Sequence, residues 1–93
     1  MAEKAVRVVI EGRVQGVWFR GWAMQEATRR GLGGWIRNRR DGTVEAVFAG
    51  AADRVDEMVG LCRIGPPAAR VMQVTMHSAD DPGGQGFMHL PTV

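Results

Sequence analysis

Two short stretches of this 93-residue sequence contain side chains suited to handling an anion. The first is Val14-Gln15-Gly16-Val17-Trp18-Phe19-Arg20, a glycine-bearing turn leading into a helix-like segment. Such a turn aims backbone N–H groups in one direction, and the positive end of the helix dipole adds to their pull on negative charge. Arg20 falls in the first helical turn, where a cation opposes the dipole. An anionic partner held by the guanidinium fork would offset that placement. An ordinary surface arginine beside a tight turn fits the same spacing. The second stretch centres on Asn38, which shares the strand parity of Gly34 and Ile36. Asparagine is depleted in strands, so one alternating with apolar positions stands out. Its amide has two uses open to it: a site, or a bond to the backbone of its own hairpin.

Other catalytic arrangements are missing. The sequence offers no Cys–His pair, no Ser-His-Asp set and no close spacing of metal ligands. Cys62 lies on an apolar helical stripe and reads as a core thiol. His77 and His89 fall on the last strand and the tail, and the reading assigns them structural places far from the glycine turn. Neither a metal nor a cofactor is expected.

The elements that must position Arg20 and Asn38 follow from periodicity. Val6 to Arg13 alternates as a strand, and Gly21 to Arg30 carries Ala23, Met24 and Ala27 on one helical stripe. Trp35 to Arg40 and Thr43 to Ala49 flank the hairpin signal Asp41-Gly42. Ala52 to Arg63 places Val55, Met58, Val59 and Cys62 on one helical face. A fourth strand runs from about Arg70 to His77, and Phe87 to Leu90 is a candidate short edge strand. On this reading Arg37 and Arg39 form a solvated face, and Trp35 packs in or over the core.

The resulting β-α-β-β-α-β order is the ferredoxin-like split βαβ sandwich, an α+β fold with two helices on one face of an antiparallel sheet. In it the second arm of the hairpin lies between the first two strands, which run parallel. Their carboxyl ends then open at one rim, roughly 10 Å apart, so side chains from both can meet one small ligand.

Composition sets the outer bounds. The length suits a single domain over residues 1–93, with a core of about 6–90. The lone cysteine allows no internal disulfide, which suits a reducing cytoplasm. The N-terminal residues lack a secretory pattern, and no apolar run approaches the roughly 20 residues a membrane helix needs. Net charge is +2 with acids and bases interspersed, unlike the clustered charge of a nucleic-acid footprint. No nucleic-acid or membrane partner is expected, and the chain reads as a monomer.

The block Gly12-Arg13-Val14-Gln15-Gly16-Val17-Trp18-Phe19-Arg20 resembles the acylphosphatase signature G-x-V-Q-G-V-x-F-R. Gly34-Trp35-Ile36-Arg37-Asn38-Arg39-Arg40-Asp41-Gly42-Thr43-Val44-Glu45 resembles the second signature of that family, in the same order and at the same separation. Gly65-Pro66-Pro67-Ala68-Ala69-Arg70-Val71 is similar to the family's link into the fourth strand, so the likeness spans roughly residues 6–76. The final strand, Phe87-Met88-His89-Leu90, matches only loosely.

The resemblance implies metal-free hydrolysis of acyl phosphates to a carboxylate and inorganic phosphate, which would also act as an inhibitor. It implies that Arg20 and the backbone amides of Gln15, Gly16, Val17, Trp18 and Phe19 bind phosphate. Asn38 would orient the attacking water. Such a substrate suits a site without nucleophile or general acid, because its leaving carboxylate has a pKa near ~4.

Two rivals are weaker. RNA-recognition modules share this element order, but they stack bases on aromatics in the first and third strands. Here the first strand has none and the third has only Phe48. A non-catalytic accessory domain binding phosphate or carboxylate in the same pocket is the second alternative.

Overall fold

A computed structural model of the chain describes residues 2–84 and 86–93. The elements are β1 (Glu3–Arg13), α1 (Phe19–Arg29), β2 (Gly33–Asn38), β3 (Val44–Ala51), α2 (Ala52–Cys62), β4 (Arg70–Ser78) and β5 (Phe87–His89). They form one five-stranded sheet in the order β4-β1-β3-β2-β5. The four longer strands pair antiparallel, whereas β5 joins the outer edge of β2 in parallel. The expected ferredoxin-like order holds, with a mixed sheet where an antiparallel one was expected.

Strand alternation sorts the side chains. Val8, Ile10, Ile36, Val44, Ala46 and Phe48 are fully buried on the face covered by the helices. Ala23 and Ala27 of α1 meet them, as do Val55, Met58, Val59 and Cys62 of α2. Small residues on α1 let that helix lie close to the sheet, while α2 brings the larger apolar stripe. Phe48 stacks on Phe87 at 5.3 Å, so the third strand's aromatic faces the core and forms no open base-stacking platform.

Two boundaries differ from the expected ones. Helix α1 begins at Phe19, because Trp18 takes a left-handed conformation and its carbonyl accepts the first helical bond, from Trp22 N–H. The hairpin strands stop at Asn38 and resume at Val44, since Asp41 closes a longer loop over residues 39–43 in place of a two-residue turn. Its Oδ1 accepts both the amide and the hydroxyl of Thr43, at 3.0 and 2.6 Å. Those bonds also hold the Asp41 carboxyl below its ordinary pKa.

Helix α1 ends in paired capping bonds from Gly31 N–H to Thr28 and from Leu32 N–H to Ala27. The chain then enters β2 through Gly34, where backbone crosses backbone. A Cβ at Gly34 would stand 1.8 Å from the carbonyl oxygen of Val47, and φ is +123°. Only glycine allows β2 to lie this close to β3. That contact sets the register which carries Asn38 to the rim.

Candidate active site

At the rim where β1 and β2 end, a hollow of about 240 Å³ opens beside the start of α1. Gly16, Trp18 and Arg20 line it from the loop and helix, Asn38 from β2 and His89 from β5. Sequence parity correctly placed Asn38 on the helix side of the sheet, two residues beyond the buried Ile36. The long-range convergence comes from topology: β3 sits between β1 and β2 and keeps their carboxyl ends at one edge.

The loop is shaped to leave its amides unspent. Gly16 has φ +72° and Trp18 φ +63°, two left-handed residues that curl the chain around the hollow. Among the described residues, no hydrogen bond outside the regular elements is donated by a backbone amide between Gln15 and Gly21. Helix α1 has neither a side-chain cap nor an acidic residue in its first turn. Its free N–H groups and dipole therefore act on the hollow without a resident negative charge.

Gln15 contributes differently from its neighbours. Its side-chain amide donates to the carbonyls of Arg39 and Thr43, at 2.7 and 2.8 Å. The side chain thus ties the glycine loop to the hairpin that bears Asn38. Phe19 is buried, fixing the helix start in the core, while Val17 is nearly so. The Trp18 ring is 60% exposed and lies over Gly21, where a Cβ would come within 2.1 Å of the indole nitrogen.

Two side chains of the hollow lack the partners that would neutralise or satisfy them. Arg20 has no carboxylate within ion-pair distance among the described residues. Asn38 Oδ1 is buried with no hydrogen-bond partner among them. An orphaned buried acceptor costs roughly 1–3 kcal/mol, so its retention points to a partner supplied from the hollow. The alternative use of this amide, a bond to the backbone of its own hairpin, is not made by this oxygen.

His89 corrects the sequence reading. It was expected far from the loop, yet its Nε2 lies 2.6 Å from Arg20 Nη1 and its ring lines the hollow. The cause is the parallel pairing of β5 with β2, which puts His89 opposite Ile36 and on the same face as Asn38. Phe87, stacked on Phe48, anchors that placement. A three-residue edge strand has no periodicity to betray it, although a histidine two residues after a buried aromatic was the available signal.

Arg37 is also corrected. It is not simply solvated: its Nε donates to Glu45 at 2.8 Å, and Arg7 binds the other carboxylate oxygen at 3.0 Å. Its guanidinium covers the Trp35 ring, 4.6 Å from the centroid. Trp35 thereby packs on the helix-free face of the sheet. Cys62 is fully buried, and burial pushes its thiol up to about 12, a value at which it is no nucleophile.

Comparison with known proteins settles the family. An acylphosphatase family model matches residues 6–89. The chain belongs to the acylphosphatase family. An acylphosphatase of Rhizorhabdus wittichii is 52% identical over 89 residues, which cover 96% of this chain and 90% of that protein. Among solved structures, an acylphosphatase from Coxiella burnetii superposes with a TM-score of 0.90 at 31% identity, covering 95% and 93% of the two chains. The acylphosphatase of Bacillus subtilis gives 0.88 at 32% identity, covering 96% and 99%. The chain is accordingly a hydrolase of this family. No acylphosphatase helix among the described residues is long and apolar enough to cross a membrane.

Proposed function

We propose that the rim hollow hydrolyses the carboxyl–phosphate bond of acyl phosphates without a metal. The phosphoryl oxygens take hydrogen bonds from Arg20 and from the amides of Gln15, Gly16, Val17, Trp18 and Phe19. Asn38 Oδ1 accepts a hydrogen of the attacking water and aims its oxygen in line with the bond to be broken. As the new P–O bond forms, the acyl C–O–P bridge opens on the phosphorus side and the carboxylate leaves with its electron pair. The water's proton passes to a phosphoryl oxygen, giving inorganic phosphate.

The chemistry asks little of the protein beyond position and charge. A carboxylate leaves unprotonated near neutral pH, so no general acid is needed. Phosphoryl transfer runs mainly on alignment and on stabilising charge at the equatorial oxygens. The observation that supports this reading is the meeting of free amides, a guanidinium without a carboxylate partner among the described residues and an orphaned amide oxygen around one hollow.

Benzoyl phosphate tests it. The folded protein should release phosphate far faster than the buffer blank, unaffected by EDTA and competitively inhibited by inorganic phosphate. Tight phosphate binding with no turnover would instead describe the non-catalytic accessory domain. Loss of activity on chelation would overturn the metal-free step.

The reading extends to a single acylphosphatase-like domain over residues 1–93, acting as a cytoplasmic monomer. The free thiol of Cys62 suits a reducing compartment. Support for the monomer comes from the pairing of β5 and the tail along the outer edge of β2, which leaves that edge covered. Elution at the mass of one 10.1 kDa chain is the expected outcome of size-exclusion chromatography.

A further inference from the structure

Arg20 meets His89 at 2.6 Å between Nη1 and Nε2. A guanidinium has only donors, so Nε2 accepts and the ring is neutral, with its proton on Nδ1. Both side chains border the hollow, and among the described residues Arg20 has no carboxylate partner to hold it there. We propose that His89 is an anion-responsive member of the site, restraining Arg20 when the hollow is empty and binding the phosphoryl group beside it when protonated. The proposal rests on the phosphate-binding reading of the rim hollow.

The two states follow from donor and acceptor chemistry. Without an anion, His89 accepts from Arg20 and keeps the guanidinium turned to the rim. An arriving dianion takes Arg20's donors for itself, and Nε2 loses its partner. Nε2 then gains by taking a proton and donating it to the anion, since a hydrogen bond between charged groups is about twice as strong as a neutral one. Two adjacent cations repel in the empty site, and the dianion between them removes that penalty. Anion binding and protonation of His89 therefore reinforce each other.

The charged groups around His89 leave it to Arg20 and the ligand. Helix α1, packed against β5, presents Arg20 nearby. Its other charged residues lie further along: Glu26 is engaged by Arg30 and Arg29, at 2.8 and 3.7 Å. Strand β2 carries one ionisable residue, Arg37, on the opposite face and bound to Glu45. Strand β5 and the tail from Leu90 to Val93 have no other ionisable side chain, and the terminal carboxylate at Val93 lies at the hairpin, where its oxygen accepts from Arg40 N–H at 2.7 Å. Imidazole is the side chain that ordinarily changes charge between about pH 5 and 8, which sets the range of the measurement.

Sulfate is the probe, because it stays doubly charged across that range whereas phosphate titrates. Calorimetry of sulfate binding between pH 5.5 and 8, in two buffers of different ionisation enthalpy, reads affinity and proton uptake together. The wild type should bind sulfate about tenfold more weakly at pH 8 than at pH 5.5 and take up a proton on binding at intermediate pH. His89→Gln, at an exposed position that tolerates polar replacement, should show neither effect. His89→Lys should bind tightly at both pH values, with no proton uptake. An unchanged pH dependence in His89→Gln overturns the proposal, as does wild-type protein that binds no sulfate. Failure to hydrolyse benzoyl phosphate is a separate outcome, because sulfate binding needs no turnover.

Discussion

Arginine is used twice on the two faces of one sheet, to opposite ends. On the helix-free face, Arg7 and Arg37 occupy both oxygens of Glu45, a carboxylate only 7% exposed. Both oxygens of that acid accept a bond from within the protein, and both arginines have a buried carboxylate to neutralise them. On the other face, Arg20 stands at a helix start with no acid in reach among the described residues, beside amides that donate to none of them and an Asn38 oxygen that accepts from none. The first cluster spends its hydrogen bonds on the fold. The second holds them in reserve. This accounting separates the two faces, whereas composition alone would not separate the three arginines.

Substitutions can break or sharpen that contrast. The largest expected effect is at Arg20: Arg20→Ala should lower kcat/KM for benzoyl phosphate by at least about 10²–10³. Arg20→Lys should fail nearly as badly, because an ammonium lacks the planar fork. Neither should lower the thermal midpoint, since a cation at a helix N-terminus opposes the dipole. Asn38→Ala should cost about 10²–10³ in kcat with a much smaller change in the inhibition constant of phosphate. A loss of phosphate binding as large as the loss of turnover would move Asn38 from the water to the phosphoryl group.

Glu45→Gln should reverse the pattern. Unfolding in urea should reveal a loss of about 1–3 kcal/mol, with kcat within about twofold of the wild type. A collapse of activity in a folded Glu45→Gln protein would show that the two faces are not independent. The smallest effect belongs to the layer between them. The folded state holds the Cys62 thiol protonated up to about 12, against an ordinary value of 9.0. A raised acid keeps its full stabilising contribution below the unfolded value and loses it as pH climbs through the folded one. Stability should thus fall by about 1 kcal/mol between pH 9 and 10 and continue down toward 12. Cys62→Val should remove that slope. The chain has no tyrosine and one lysine, which keeps the alkaline signal readable.

How much of this was legible in the sequence depends on distance along the chain. The loop from Val14 to Arg20 and the parity of Asn38 could be read because glycine turns and strand alternation are local. Element order then placed both at one rim. The Glu45 cluster was invisible, because matching Arg37 to Glu45 and Arg7 to Glu45 needs the register of three strands. His89 was misplaced for a related reason: a three-residue parallel strand is located by Phe87 stacking on Phe48, a contact across 39 positions that no periodic signal announces. The ends of β2 and β3 were set by side-chain bonds of Asp41, which overrode the simplest two-residue turn.

The two bonds from the Gln15 side chain to the hairpin make a cross-brace between segments 24 and 28 positions apart in the chain. A brace of that kind joins the fate of the two parts it connects. Local fraying of the hairpin releases the loop's curvature, and loosening of the loop frees the hairpin tip. Amide exchange at Trp22, whose N–H is bonded to the loop carbonyl of Trp18, is therefore expected to follow that of Arg39, whose N–H is bonded to Thr43 across the hairpin, the two rising and falling as one cooperative unit.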